Sequence, residues 1–307
     1  MKVSIITVNY NETATTCALL DSIRRQGYDD VEVIVVDNAS RENPTAIFQA
    51  QFPEVIFVRS ETNLGFAGGN NLALARASGE FLFFVNNDAE IEAGCIERLL
   101  QLFENHANIG IASPLICYAP DKRTNSSFYR PPYRIQYAGM TLVSPFTGRN
   151  KTIGEREMDI RQYAEPFRTG YVHGAAMMLP RRVLEQVGAM WEGFFLYYEE
   201  LDWCERIRKA GFEVWVEPRA RVWHKESLTL DKMGTTKTFY LARNRILFMR
   251  RNFKGWRLAV FFIFLVLATL PKTCLLFLLK GDFDNLKAFL RGVFTNVRLK
   301  PFHAEAL

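Results

Sequence analysis

Polar side chains follow four apolar segments in the first third of the chain, at the point where each segment ends. These side chains are Thr7, Asn9 and Asn11 after the first segment, Asp37 and Asn38 after the second, the run that contains Gly65 after the third, and Asn86, Asn87 and Asp88 after the fourth. Amides and carboxylates are costly to bury without partners. If the four segments are parallel strands, these residues meet at one edge of a sheet, where ligands bind in open α/β proteins. The sequence therefore predicts a nucleotide site at this edge.

Each of these features has a simpler interpretation when it is taken alone. Asp37, Ser40 and Asp88 are residue types that commonly cap helices. The run GFAGGNN has neither the G-x-G-x-x-G nor the G-x-x-x-x-G-K spacing, so by itself it indicates a tight turn into a helix. The occurrence of all these features at the ends of successive strands favours the nucleotide site.

The elements that must position these residues alternate between strands and helices. The pattern predicts strands over residues 2–8, 31–37, 55–60, 80–85 and 109–114, with helices over 13–26, 45–51, 67–77 and 91–105. Strands that are apolar throughout and separated by helices are typical of a mostly parallel sheet covered on both faces. The predicted fold class is α/β.

The second half of the chain is less regular. Residues 118–168 are rich in Pro, Arg, Tyr and Asn without a clear period, which is typical of a long functional or mobile segment. Regular pattern returns with GAAMMLPRRVLEQVG, and EELDWCERIRKAG predicts a helix. Residues 212–218 and 220–226 predict two strands, and the chain is helical and basic after Lys237.

The composition allows a large core and argues against several classes of protein. The chain has 307 residues, of which 49% are hydrophobic and 13% aromatic. Its five cysteines include no C-x-x-C pair, which favours reduced thiols in a cytosolic setting over a disulfide framework or a zinc site. The first ten residues enter a strand-like run directly, so we expect no signal peptide.

Positive charge is concentrated at the C-terminal end, around an apolar stretch. Residues 238–307 contain 12 Lys and Arg against 3 Asp and Glu, within a net charge of +5 for the chain. The charges flank LAVFFIFLVLATL and CLLFLL, which favours a membrane surface over nucleic acid as the partner. Pro271 and Lys272 interrupt the stretch, whose first part is shorter than the roughly 20 residues of a spanning helix. We expect a helix that lies in the interface or re-enters it; the alternative is a buried helix at an oligomer interface.

Four motifs, at their spacings, resemble the donor half of glycosyltransferase family 2, whose members have the GT-A fold. The motifs are VSIITVNYN, VIVVDNAS, NLGFAGGNN and FLFFVNNDAE. The likeness is greatest to rhamnosyltransferase-like bacterial members and continues through FFLYYEELDWCERIRKAG, VWHKES and FYLARNRILFMRRNF, so that it covers about residues 2–253. The resemblance implies a GT-A domain over residues 1–237, with a donor half to about 117 and an acceptor half over 118–237, followed by a basic helical tail over 238–307.

The resemblance also implies a reaction. Such an enzyme moves a sugar, with inversion, from a nucleotide-diphosphate donor, here dTDP-rhamnose-like or a UDP-hexose. The acceptor would be a hydroxyl of a lipid-linked or cell-surface glycan, and Mg²⁺ or Mn²⁺ would be required. We expect the catalytic domain at the cytoplasmic face of the cell membrane, with no nucleic-acid partner, and oligomerisation stays open.

Residue roles follow from the same resemblance. Asp37 matches the carboxylate that holds the nucleotide base or ribose, and Arg243 would face the diphosphate. Asp88 matches the last carboxylate of the D-x-D metal element, and His224 matches a histidine that completes the metal site. The remaining residues assigned to the donor pocket are Thr7, Asn9, Asn11, Asn38, Gly65, Asn86 and Asn87. Since Asn86 and Asn87 stand where a fuller motif would supply another acid, His224 has to lie close to Asp88.

Three acids are candidates for the general base. Glu199 and Glu200 fall on the acidic pair of the family, whose second member is usually the base, and Asp202 lies in the same helical turn. Glu-Glu replaces the common Glu-Asp, which weakens the assignment of Glu200 over Asp202. Trp191 and Glu192 also depart from the family pattern at the acceptor wall. Without the resemblance, these acids could simply favour the positive end of a helix, and His224 could be structural.

Three other functions are compatible with parts of the same sequence pattern. A processive polysaccharide synthase would need several spanning helices and a Q-x-x-R-W element, which the sequence lacks. A sugar-nucleotide nucleotidyltransferase should have a Gly-rich, Arg-bearing loop where this chain reads VNYNETATT. A non-catalytic nucleotide-binding, membrane-associated protein stays open at this point.

Overall fold

A ten-stranded sheet forms the centre of the described part of the chain. The structure is a computed structural model that describes residues 1–119, 133–225 and 234–298. Its strands are β1 (Val3–Asn9), β2 (Val31–Asp37), β3 (Ile56–Arg59), β4 (Phe81–Val85), β5 (Ala89–Ile91), β6 (Ile109–Tyr118), β7 (Ile135–Tyr137), β8 (Phe167–Arg168), β9 (Ala176–Pro180) and β10 (Glu213–His224).

The sheet is mixed but mostly parallel, as the sequence predicts. Its order is β3-β2-β1-β4-β9-β6-β10-β5, with β7 paired to β6 and β8 to β10. Strands β3, β2, β1 and β4 are parallel, and so are β6 and β10. Strand β9 runs antiparallel between β4 and β6. The register sets Asn9 beside Asp37, so the carboxyl ends of β1 and β2 lie together.

Helices cover the sheet in the predicted order. They are α1 (Thr13–Arg24), α2 (Thr45–Gln51), α3 (Gly65–Leu74), α4 (Cys95–Asn105), α5 (Arg181–Val187) and α6 (Glu199–Lys209). Strands β1, β2 and β4 are buried almost throughout, because helices lie over both faces of an apolar sheet. Trp203 of α6 packs edge-on against Phe84 of β4, with ring centroids 5.5 Å apart.

Three of the predicted elements, one helix and two strands, differ from the structure. The helix expected from residue 91 begins at Cys95, because Ala89–Ile91 form β5 against the end of β10 and Gly94 turns the chain at a φ of +76°. The strands expected over 212–218 and 220–226 are one strand, β10, with a register shift between Glu217 and Arg221. Pro218 lies in this bulge, where the missing N–H of proline is tolerated. Residue 226 and the segment 120–132 lie outside the described residues.

The C-terminal part is helical. Helix α7 (Gly234–Asn252) packs against α6, and α10 (Phe283–Arg298) packs back on α7. Between them, α8 (Trp256–Phe264), a π-helical turn (Leu265–Thr269) and α9 (Leu270–Leu279) form one helix of 24 residues. The predicted interruption at Pro271 is therefore absent from this helix, since the π turn just before it re-arranges the backbone hydrogen bonds.

This 24-residue helix is largely exposed. Its mean hydropathy is 2.3 and only 11% of its most apolar window is buried. Leu267 is 74% exposed and Leu279 is 75% exposed. Among the described residues it is the one helix long and apolar enough to cross a membrane, judged by length and composition.

Candidate active site

A cavity of about 520 Å³ opens at the carboxyl ends of β1, β2 and β4. Eight of the residues predicted from the sequence line it: Asn38, Gly65, Asn86, Asn87, Asp88, Glu199, Glu200 and His224. The others, which are Thr7, Asn9, Asn11, Asp37, Asp202 and Arg243, are not among its lining residues. The volume lies within the range of small-molecule sites.

Asp88 and His224 form a pair in the wall of this cavity. Nε2 of His224 lies 3.0 Å from Oδ1 of Asp88, and both side chains are nearly buried. Nδ1 of His224 lies 2.8 Å from Oε1 of Gln136, and Nδ2 of Asn86 lies 3.4 Å from Nε2. A carboxamide oxygen accepts, so Nδ1 of His224 donates to Gln136 and Nε2 faces the Asp88 carboxylate. A cation placed between Nε2 and Oδ1, either a proton or a metal ion, satisfies both atoms.

A buried chain of hydrogen bonds lies behind the cavity wall. Nδ2 of Asn87 donates to Oγ1 of Thr16 (3.1 Å), which donates to Oδ1 of Asn9 (2.8 Å). Nδ2 of Asn9 donates to Oδ1 of Asp37 (2.8 Å), and Arg59 donates to its Oδ2 (2.5 Å). This chain links the end of β4 to the end of β2, and it occupies both oxygens of Asp37.

The other predicted residues near β1 have structural contacts. Ser40 donates to Oδ1 of Asp37, and the main-chain N–H of Asn11 donates to Oγ of Ser40 (2.8 Å). Asn11 also accepts from the N–H of Arg41 (2.8 Å) at a φ of +59°. The Thr7 hydroxyl is fully buried and has no hydrogen-bond partner in the described residues.

Asn38 and Gly65 join the end of β2 to the start of α3. Nδ2 of Asn38 donates to the Gly65 carbonyl (3.0 Å), and Oδ1 accepts from the N–H of Leu64 (2.9 Å). Gly65 has a φ of +72°, and a Cβ atom there would overlap the carbonyl oxygen of Phe195. Only glycine lets this backbone approach so closely, which is the structural reason for the glycine in NLGFAGGNN.

A strained turn precedes helix α6. Phe195, Tyr197 and Tyr198 all have positive φ values, between 67° and 75°, which bulky residues rarely adopt. Asn244 of α7 donates from Nδ2 to the carbonyls of Phe194 (2.9 Å), Leu196 (2.7 Å) and Tyr197 (3.0 Å). The turn keeps its shape because α7 binds it, and strain of this kind is concentrated at functional sites.

Arg243 also contacts this turn. Its guanidinium donates to the carbonyls of Gly193 (2.7 Å) and Phe194 (3.2 Å). Burial lowers the pKa of Arg243 from its usual value. The structure therefore places Arg243 on the back of the turn, while Lys237 of the same helix lines the cavity.

Glu199 and Glu200 begin α6 directly after the strained turn and line the cavity. Burial raises the pKa of Glu200 to about 7. Burial, with the negative charge of Glu200 as a second cause, raises the pKa of Glu199 well above its usual range. Oε2 of Glu199 has no hydrogen-bond partner among the described residues. A carboxyl with a pKa near neutrality is suited to general acid–base chemistry.

The comparisons with known proteins decide the family. The model of Glycosyl transferase family 2 matches residues 4–188. The chain belongs to this family. It is a glycosyltransferase, as the sequence predicts.

Two relatives of this glycosyltransferase match most of its length. It is 24% identical over 264 residues to the N-acetylglucosaminyl-diphospho-decaprenol L-rhamnosyltransferase of Mycobacterium tuberculosis, covering 82% of this chain and 85% of the relative. It is 26% identical over 249 residues to the low-salt glycan biosynthesis hexosyltransferase Agl10 of Haloferax volcanii, covering 80% and 74%. The rhamnosyltransferase-like resemblance is thereby confirmed.

Solved structures share its fold. The mannosyltransferase PcManGT from Pyrobaculum calidifontis, in complex with GDP-Man and Mn²⁺, aligns with a TM-score of 0.58 at 17% identity, over 96% of this chain and 87% of that one. GalNAc-T7 with UDP, GalNAc and Mn²⁺ aligns with a TM-score of 0.59 at 16% identity, over 80% of this chain and 51% of that one. The glycosyltransferase thus spans about half the length of GalNAc-T7, and its GT-A fold is confirmed.

Asp202 of the glycosyltransferase lies apart from the cavity. It is fully buried, and its carboxylate contacts Arg206 (3.3 Å) and Arg251 (3.0 Å) and accepts from Nδ2 of Asn252 (2.9 Å). The Arg251 guanidinium also lies 3.8 Å above the Trp191 ring. The structure therefore separates Asp202 from Glu200 and makes it the centre of a buried ion-pair cluster that joins α6 to α7.

The residues present are compatible with a divalent metal ion. Among the described residues no group of three or more His, Cys, Asp and Glu could hold an ion, so Asp88 and His224 stand as a pair. Ligands about 2.1 Å from one ion at right angles are roughly 3.0 Å apart, which matches the distance between Oδ1 and Nε2. Gln136 supplies the outer hydrogen bond that commonly fixes a metal-binding histidine.

Several lining residues were not assigned to the donor site from the sequence. Three of them bear on the chemistry, namely Gln136, Lys237 and His173. Gln136 follows an irregular segment and Lys237 starts a basic helix, so neither stood out by period or motif. The one sequence signal that His173 lies in the cavity is its position in YVHGAAMM, where a polar residue and a glycine interrupt an apolar run.

Proposed function

We propose that this glycosyltransferase moves a sugar, with inversion, from a nucleotide-diphosphate donor to a hydroxyl of a lipid-linked or cell-surface glycan. The proposed donor is dTDP-rhamnose-like first and a UDP-hexose second. The observation that carries the proposal is that the Asp88–His224 pair and Glu200 line one cavity. The names of the relatives support it, since one is an L-rhamnosyltransferase and another a hexosyltransferase.

Asp88 and His224 would hold Mg²⁺ or Mn²⁺. Such an ion, when bound, neutralises the charge that develops on the leaving diphosphate. Two protein ligands suffice because phosphate oxygens and water complete the coordination. Lys237 adds positive charge to the same cavity, so we assign it to the diphosphate in place of Arg243.

Glu200 is the proposed base. It takes the proton of the acceptor hydroxyl as that oxygen attacks the anomeric carbon, on the face opposite the leaving diphosphate. The C–O bond to the acceptor forms while the bond to the diphosphate breaks, and one displacement of this kind inverts the configuration. The raised pKa of Glu200, about 7, suits proton transfer near neutral pH. Glu199 shapes the charge around Glu200.

The nucleotide would lie against the ends of β1 and β2. Asn38, Asn86 and Asn87 line the cavity and are proposed to contact the donor. Asp37 and Asn9 are proposed to act from behind, since the buried hydrogen-bond chain fixes Asn87 through Thr16. Asn11, whose main-chain N–H donates to Ser40 beside Asp37, is assigned the same supporting role, whereas Thr7 is assigned a packing role beneath the pocket.

Membrane association is part of the proposal. The exposed 24-residue helix, with Lys254 and Arg257 at one end and Lys280 at the other, would hold the catalytic domain at the cytoplasmic face of the membrane. Residues 1–237 together with helix α7, whose Asn244 holds the turn before Glu199, would form the catalytic domain, and the helices after α7 would form its anchor. Flotation of the purified protein with vesicles that contain anionic lipid should recover it in the lipid fraction. Recovery in the soluble fraction as a discrete oligomer would instead favour an interface between copies.

The function is tested with purified protein, MnCl₂ and a panel of donors. A thermal-shift screen of dTDP, UDP and GDP identifies the nucleotide, because a ligand that binds the folded state raises its apparent stability. Labelled dTDP-rhamnose or UDP-hexose is then offered with lipid-diphosphate-linked sugar acceptors. Transfer to the acceptor with inverted configuration supports the proposal. If no nucleotide binds and no donor is consumed, the proposal is wrong.

A further inference from the structure

His173 is a fixed hydrogen-bond donor in the cavity wall. The main-chain N–H of Ala175 donates to its Nδ1 at 3.1 Å, so the other ring nitrogen, Nε2, carries the proton in the neutral ring. No described residue accepts from Nε2, and the ring lines the cavity. Because Nδ1 accepts this bond it carries no proton, so the imidazole that makes it is uncharged. The ring therefore offers one N–H with no partner among the described residues.

His173 and the residue after it lie beside both halves of the proposed chemistry. The His173 ring centroid is 6.0 Å from that of His224, which belongs to the metal-binding pair. The next residue, Gly174, is close to the proposed base, since a Cβ atom there would lie 4.0 Å from the carboxyl carbon of Glu200. In an inverting transfer the leaving diphosphate and the base act on opposite faces of the anomeric carbon. The transferred sugar must therefore lie between them.

We propose that His173 recognises the transferred sugar, with its Nε2–H donating a hydrogen bond to one hydroxyl oxygen of that sugar. The inference rests on the proposed function and deepens it by naming a residue that selects the donor. An uncharged N–H suits an uncharged hydroxyl, whereas the diphosphate charge is met by the metal pair and Lys237. A site built to bond a hydroxyl discriminates strongly against an analogue that lacks it.

The ring is held firmly enough for such selection. Besides the bond from Ala175, its centroid lies 5.5 Å from the buried Tyr137 ring, whose hydroxyl donates to the Tyr171 carbonyl at 2.7 Å. Ala175 and Tyr137, which both contact the ring, are buried. The donor N–H is therefore positioned before the sugar arrives, which lowers the entropy cost of recognition.

The test compares ligands with and without the sugar. Binding of dTDP, dTDP-rhamnose, UDP and UDP-glucose is measured by calorimetry with MnCl₂, for the wild type, His173→Phe and His173→Asn. We expect His173→Phe to weaken the preferred nucleotide sugar about tenfold and to leave the matching nucleotide diphosphate within twofold. The unchanged nucleotide affinity also reports that the variant is folded. His106→Phe is the matched control, because His106 is exposed and stacks on Trp215.

Kinetics provide a second measurement. The wild type should prefer the natural donor over a donor deoxygenated at the recognised position, and His173→Phe should lose most of that preference in kcat/KM. Equal weakening of nucleotide and nucleotide sugar, or no change in either, would overturn the inference and leave the proposed function standing. A wild type that binds no nucleotide diphosphate at all would overturn both.

Discussion

Nε2 of His224 lies 3.0 Å from Oδ1 of Asp88, although one residue ends β10 and the other follows β4. The short antiparallel strand β5 brings them together, because His224 pairs with Ala89, the residue next to Asp88. The main-chain N–H of Lys225 also donates to the Asp88 carbonyl at 3.0 Å. The geometry of the pair is thus fixed by backbone pairing, and the side chains need little rearrangement to accept an ion.

The first prediction concerns this pair and its outer partner. Asp88→Asn and His224→Ala should each weaken Mn²⁺ binding so far that it is no longer measurable at micromolar ion. Gln136→Met removes the acceptor for the Nδ1 proton, which frees the imidazole to rotate and should weaken Mn²⁺ binding about 10–100-fold. Electron paramagnetic resonance of free Mn²⁺ measures all three. Gln162→Met, on an exposed residue away from the pair, serves as control. Unchanged affinity in Gln136→Met would contradict the role of the outer bond.

The second prediction concerns the proposed base. Glu200→Gln should reduce kcat about 10²–10⁴-fold, because the amide takes no proton from the acceptor, while donor affinity stays within a few fold. In the wild type, kcat/KM should rise with pH up to about 7 and then level off, since the ionised carboxylate is the active form. Glu185→Gln, on an exposed residue of α5, is the control. A flat pH profile in the wild type would exclude Glu200 as the base.

The third prediction concerns the effect of the Glu200 carboxyl on the free energy of unfolding. Its pKa is raised from 4.5 to about 7, so between these values the folded state holds more protons than the unfolded state. The free energy of unfolding should therefore fall as pH rises from about 4.5 to 7. Glu200→Gln removes this term and should stabilise the protein at pH 8 by at most about 3 kcal/mol. Urea denaturation at pH 5 and pH 8 measures the difference, and a destabilised variant at pH 8 would refute the argument.

The fourth prediction separates Asp202 from Glu200. Asp202→Asn leaves Arg206 and Arg251 without their buried counter-charge, so it should lower the free energy of unfolding by about 3 kcal/mol. The residual activity should keep the pH profile of the wild type. Asp21→Asn, an exposed residue 4.0 Å from Arg24, should change stability by less than about 0.5 kcal/mol. If Asp202→Asn were stable and its low-pH limb were lost, Asp202 would be the base instead.

The fifth prediction uses two glycines with the same backbone angle. Gly65 and Gly27 both have a φ of +72°, but a Cβ at Gly65 would overlap Phe195, whereas nothing lies within 4 Å at Gly27. Gly27→Ala should cost only the strain of the left-handed conformation, about 1–2 kcal/mol. Gly65→Ala should cost more and should also weaken nucleotide binding, since it displaces the strained turn. Thermal unfolding and nucleotide titration of both variants decide the matter; equal costs would show that the turn yields freely.

The sequence predicted the fold and the residues at the strand ends because both follow from local pattern. Apolar runs and helical periods are local, and the polar residues after each strand occupy the edge that topology makes the ligand side. The proximity of Asp88 and His224 was predicted only through the family resemblance. The antiparallel β5 and β9 were not predicted, since pattern carries no strand direction.

What the sequence could not predict are contacts between distant side chains. Asp202 and Glu200 are equivalent acids in one helical turn, and the contacts that Arg251 and Asn252 of α7 make with Asp202 tell them apart. In the same way, Arg59 forms an ion pair with Asp37. Lys237 lines the cavity, where Arg243 was expected. Which Arg or Lys side chain pairs with which carboxylate depends on the packing between helices and strands. The local hydrophobic period of the sequence does not contain that information.

The three bonds from Asn244 to the strained turn make helix α7 part of the machinery of α6. A chain that ended at residue 237, where the motifs suggest a boundary, would release the carbonyls of that turn and leave Asp202 without Arg251. The three left-handed residues would then relax toward ordinary backbone angles and carry Glu199 and Glu200 away from the cavity. Shortened versions made for crystals or assays therefore need to extend at least through Asn252. The first helix of the tail, α7, and the turn before α6 can vary in evolution only together.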